Sequence, residues 1–129
     1  MPDPTATLID QVLTVAVQVR DHERSLEFYE ARLGFERRRD ATFGPGLRWV
    51  EVAPPGAQTT VALAPSPGEW PGGRDTGIRL ATESADRTHA GLKAAGVDVD
   101  DVMRFGPGVP PMFSLRDPDG NTLYVVEAA

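Results

Sequence analysis

Val12 to Arg20 reads VLTVAVQVR, and within it Val15, Val17 and Val19 alternate with Thr14, Ala16, Gln18 and Arg20. A period of two predicts a strand with one apolar and one mixed face. The period then changes. Asp21 stands where its carboxylate can accept from free first-turn amides, so it predicts the cap of a helix from His22 to Leu33. Leu26, Tyr29 and Leu33 recur at helical spacing as its buried stripe, and Gly34 ends it. Phe35 to Phe43 predicts an exposed, charged strand, and Gly44-Pro45-Gly46 a turn. Leu47 to Ala53 and Thr59 to Ala64 predict two more strands, joined at Pro54-Pro55-Gly56.

Past a Pro- and Gly-rich stretch the same order returns. Gly77 to Thr82 is a strand, and Ser84 caps a second helix whose stripe is Ala85, Thr88, Leu92 and Ala95. Gly96 closes that helix as Gly34 closes the first. Val97 to Arg104 reads as a short strand. Met112 to Arg116 and Thr122 to Glu127 are the last two, turned by Asp117-Pro118-Asp119-Gly120. The chain therefore divides into a tail (1–11), a first βαβββ module (12–66), a linker (67–74) and a second module (75–129), together one domain. The fold class is α+β. A helix covers only one face of such a sheet, so the twin modules are expected to curl as a mixed sheet around a cleft.

Composition narrows the partners. The 129 residues are 40% hydrophobic, enough for a packed core. A net charge of −6 argues against nucleic acid and against an anionic membrane surface. With no cysteine there is no disulfide, no thiolate ligand and no cysteine nucleophile. Neither a signal-peptide pattern nor a membrane-length apolar run occurs, so the expected location is cytoplasmic.

Three segments carry a resemblance to a known family. VAVQVRDHERSLEFYEARLGFE resembles the first strand and helix of the vicinal oxygen chelate superfamily, TGIRLATESADRTHAGLKAAGVDV the start of its second module, and FSLRDPDGNTLYVVE its last hairpin. The order and spacing of all three make the match specific. That superfamily includes glyoxalase I, extradiol dioxygenases, epimerases, fosfomycin thiol transferases and drug-sequestering bleomycin-resistance proteins. The resemblance implies an open cup, which in metal-using members holds a divalent ion on His, Glu and Gln side chains. The positions that would carry those ligands hold Thr14, Gly77 and Tyr124 here, and only Glu51 matches. Glycine has no donor atom, and neutral threonine and tyrosine are poor ligands for transition ions. The expectation is no catalytic metal and no other cofactor. The two histidines, His22 and His89, fall on helices: His22 is read as solvated and His89 as partly buried.

Alternation and the family pattern then supply the cup lining: Thr14, Gln18, Trp49, Glu51, Arg79, Met112, Ser114 and Tyr124, with Phe43 and Trp70 as loop-edge candidates for a lid. Trp49, Tyr124 and Met112 suit stacking on a planar or apolar ligand, and Glu51 and Arg79 suit its polar groups. The plainer reading of the same residues is a cup closed by packed aromatics, with Glu51 and Arg79 paired to each other. Three functions stay open. One is a metal-independent binding protein that sequesters an antibiotic or metabolite. Another is a glyoxalase-like lyase, isomerase or dioxygenase with an atypical site, either metal-dependent with an unorthodox ligand set around Glu51, or metal-free with Glu51, its pKa raised in a dry cleft, as base and Tyr124 as acid. The third is a dimerisation or regulatory module. A homodimer is expected, with a small molecule as ligand. The DPDG turn is assigned turn chemistry alone, and EFYEARLGFERRRD is read as a solvated face.

Overall fold

The computed structural model describes residues 7–66 and 73–128. Trp70 and most of the expected linker lie outside the described residues. The first half contains β1 (Thr14–Val19), α1 (His22–Leu26), a wider helical turn (Glu27–Arg32), β2 (Glu36–Thr42), β3 (Arg48–Ala53) and β4 (Thr60–Pro65). The second contains β5 (Asp75–Thr82), α2 (Ala85–Ala94), β6 (Asp98–Val99), β7 (Met112–Arg116) and β8 (Thr122–Glu127). Each half builds one four-stranded mixed sheet, in the orders β1-β4-β3-β2 and β5-β8-β7-β6. In both, the strand before the helix runs parallel to the last strand of its half, and the other pairs are antiparallel. The α+β architecture of paired modules is thus as expected.

Alternation decides which face is covered. Val17, Val19, Val50, Val52 and Leu63 on one sheet, and Phe113, Leu115, Leu123 and Val125 on the other, are buried in one continuous apolar cluster with Leu26, Phe28 and Tyr29. The helix-bearing faces of the two sheets therefore share a core. Asp21 caps α1 by accepting from the amides of Glu23 and Arg24, and Ser84 caps α2 by accepting from Arg87.

The halves are also tied by polar bonds. The Asp117 carboxylate is buried and accepts from four donors: the amides of Asp119 and Asn121 at 2.9 Å each, the Asn121 side chain at 3.0 Å and the Tyr29 hydroxyl at 2.9 Å. Asn121 in turn donates to the Gln18 carbonyl at 2.9 Å, and Asp119 accepts from the Arg20 amide at 3.2 Å. The DPDG turn is more than a local reversal: it joins the second module to β1 and α1 of the first.

Five expectations need correcting. The helix predicted over 22–33 is α-helical only to Leu26. Beyond it the turns widen, with the Leu33 amide donating to the Phe28 carbonyl five residues back. The wider turn lets the consecutive aromatics Phe28 and Tyr29 both face the core. The segment EFYEARLGFERRRD is accordingly not a solvated face throughout, since Phe28, Tyr29 and Phe35 are buried. The strand predicted over 97–104 shrinks to Asp98–Val99 with one isolated bridge from Met103 to Met112. On α2, Ala95 is exposed rather than buried. His22 is half-buried rather than solvated, with Nε2 2.9 Å from the Leu63 carbonyl. His89 is half-buried as expected and packs edge-on against Phe113, ring centres 5.2 Å apart.

Candidate functional site

The uncovered face of the first sheet follows from register. Thr14, Ala16 and Gln18 of β1 stand beside Thr60, Ala62 and Ala64 of β4, and Glu51 of β3 lies between Ala62 and Arg39 of β2. Ala41 faces Trp49. Directly opposed residues share a face, so this surface presents Trp49, Glu51 and Arg39 around small side chains. Its polar groups form a chain. Thr60 Oγ1 donates to Glu51 Oε1 at 2.7 Å and lies 2.8 Å from Thr14 Oγ1, while Trp49 Nε1 donates to Glu51 Oε2 at 2.8 Å. The Thr60 hydroxyl first, then the Trp49 indole, hold the Glu51 carboxyl below the ordinary glutamate value, and the Arg39 charge adds to them.

This contradicts the raised pKa expected of Glu51 as a general base. Its proton affinity is lowered, and each oxygen already accepts a bond. Glu51 and Arg79 do not pair with each other either. Arg79 Nη1 donates to the Gly77 carbonyl at 2.8 Å, and its guanidinium lies over the Tyr124 ring at 4.7 Å from the centre.

The second sheet carries a separate cluster on its uncovered face. The Tyr124 hydroxyl donates to Asp75 Oδ2 at 2.5 Å, and the Gly77 amide donates to Asp75 Oδ1 at 3.0 Å. The Asp75 bond pushes the Tyr124 hydroxyl up from its ordinary value, and the Tyr124 hydroxyl holds Asp75 down. Ser114 donates to Asp100 Oδ2 at 2.5 Å, and Arg116 is clasped by Asp98 and Asp100. Both carboxyls are held down by Arg116, Asp100 to about 2. Met112 stands half-buried opposite Val126. Phe43, the other lid candidate, is 62% exposed just past β2.

The expected hollow is thus only partly assembled. A groove of about 580 Å³ runs between the halves, walled by Val15, Thr60 and Val61 on one side and Gly77, Ile78, Arg79 and Leu80 on the other. Thr14, Trp49, Glu51, Met112, Ser114 and Tyr124 do not belong to its wall. A smaller groove of about 280 Å³ takes Gln18 beside Asp75 and Thr76, and the Gln18 Oε1 atom is buried with no partner among the described residues. Sequence reasoning omitted two site residues, Thr60 and Arg39. Thr60 was detectable as the polar residue that opens a β-rich strand, and Arg39 only through its register with Glu51.

A divalent metal of the family type does not fit these residues. Glu51 is committed to Thr60 and Trp49, and the Thr14 hydroxyl donates to the Thr60 carbonyl at 3.2 Å. Gly77 has φ +69° at a register shift in β5, a backbone that a histidine would adopt only with strain. Among the described residues, no three His, Asp or Glu side chains group closely enough to hold an ion.

Paired βαβββ sheets back to back on a shared core, with two polar uncovered faces and a groove between the halves, define a two-module α+β fold. The family model of the Glyoxalase/Bleomycin resistance protein/Dioxygenase superfamily matches residues 9–125, and the chain belongs to that family. A solved member of the same superfamily from Sphaerobacter thermophilus DSM 20745 is 36% identical, with a TM-score of 0.86 over 95% of this chain and 100% of that one. TnmS3, an antibiotic binding protein from Streptomyces sp. CB03234, is 31% identical, with a TM-score of 0.84 over 96% of this chain and 100% of that one. The Bacillus subtilis (strain 168) protein YetH is 30% identical over 125 residues, 93% of this chain and the whole of YetH.

Proposed function

We propose that this protein binds a small, partly planar molecule without a metal, sequestering an antibiotic or metabolite, and that it works as a homodimer. The observation that carries the reading is the state of Glu51. The one side chain that matches a family ligand position has both carboxylate oxygens bonded, by Thr60 and by Trp49, which supports reading it as a fixed polar group of the face rather than as a metal ligand or a base. The family binds small molecules, and TnmS3, similar over nearly its full length, is an antibiotic binding protein. No described helix is long and apolar enough to cross a membrane.

The test is a titration of flat aromatic antibiotics against Trp49 fluorescence, in a Trp70→Phe background so that a single indole reports. Saturable quenching that survives exhaustive chelation with EDTA is the expected result. Absence of quenching across the panel sinks the binding reading. Quenching that EDTA abolishes and an added transition ion restores sinks its metal-independent part and favours an enzyme of the lyase or dioxygenase type.

A further inference from the structure

We infer that Arg39 is a specificity-determining residue of this site and that it selects ligands bearing an anionic group, such as a carboxylate, beside their planar part. The inference rests on the binding reading above.

Three consecutive arginines stand on β2, and the fold uses two of them. Arg37 is bonded to Glu30 and Asp40, and Arg38 to Glu36 and to the carbonyls of Ala57 and Pro54. The Arg39 side chain makes no hydrogen bond or close ion pair among the described residues. Yet its position is not arbitrary. The register shift between Arg37 and Arg39 sets it directly opposite Glu51, on the face that carries Trp49.

The Glu51 charge is close enough to interact with Arg39, but both its oxygens are occupied by Thr60 and Trp49. Glu51 therefore attracts the guanidinium toward this face without consuming its donors. Two other cations on the uncovered faces are spent, Arg79 on Tyr124 and Gly77, and Arg116 on Asp98 and Asp100. A planar fork of free N–H groups next to an indole suits a carboxylate held in two bonds. The net charge of −6 repels anions in general, so anion binding at this face needs a local cation.

The probes are 2-naphthoate and its neutral methyl ester, titrated while the indole N–H resonance of Trp49 is followed by ¹⁵N NMR in the Trp70→Phe protein. The naphthoate is expected to bind more tightly than the ester. Arg39→Ala should weaken the naphthoate about tenfold and leave the ester unchanged, and Arg39→Lys should recover only part of the loss. Arg39 is exposed on an edge strand, so neither variant threatens folding. Equal binding of the two compounds, or an Arg39→Ala effect of the same size on both, overturns the inference and leaves the site intact. No indole shift with either compound overturns the binding reading beneath it.

Discussion

Asp117 shows how much one side chain can carry. Burial pushes its carboxyl up from the ordinary value, against the pull of its hydrogen bonds to Asn121, Tyr29 and Asp119. A carboxylate taken from water is tolerable when such donors surround it and costly when they are disturbed. Tyr29→Phe removes one donor and leaves no orphan, so it should cost about 1–2 kcal/mol in urea denaturation. Asp117→Asn puts an amide hydrogen against donors in place of an acceptor and should cost more, roughly 2–4 kcal/mol. The reverse order would mean that Asp117 is not the centre of the junction. The sequence made the DPDG turn legible, because Pro and Gly act locally. It left the turn's partner illegible, because Tyr29 lies 88 positions away. Glu51 illustrates the same limit. Its face was readable from alternation, but the Thr60 and Trp49 bonds that lower its proton affinity were not.

Among the elements, the strands were easiest to read, since a face that is half covered imposes its period directly on the residues. The misread elements are those where tertiary demands outweigh local pattern. In the first helix two adjacent aromatics must both be buried, and the turn widens to admit them. Beyond β6, Asp100 bonds to Ser114 and Arg116, and the following stretch of Gly106, Pro107, Gly108, Pro110 and Pro111 offers few ladder donors, so a longer strand has nothing to pair with. A further junction, at the entry to β5, was invisible in composition. Gly73 passes so close to Gly120 that a Cβ on Gly73 would lie 1.9 Å from the Gly120 carbonyl carbon. Neither backbone can yield without disturbing the Asp117 turn. Gly73→Ala should therefore lower the thermal midpoint, by an amount equivalent to roughly 2–3 kcal/mol, despite being exposed. Retention of wild-type stability would show that the crossing has slack.

For the molecule as a whole, the two uncovered faces set the problem. The Trp49–Glu51 cluster and the Asp75–Tyr124 cluster each satisfy their own hydrogen bonds, and among the described residues no hydrogen bond or ion pair joins them. A cup needs two such faces opposed, and within the chain both sheets have spent their other faces on the shared core. A second copy can supply the missing wall. The chain also shows apolar surface that a monomer has no reason to expose: Leu8 at 90%, Ile9 at 78%, Val12 at 63% and Leu13 at 65% in one segment ahead of β1. If that segment seats on a partner, the protein should run in sedimentation at twice the mass of the chain. Leu13→Asp should then halve that mass. Because Leu13 is not needed for the core of one chain, the variant should keep its native circular dichroism while losing at least about tenfold in ligand affinity, as each half-site loses its opposite wall. A single-chain mass for the unaltered protein, with ligand still bound, would place the whole site in the groove between the halves and refute the paired arrangement.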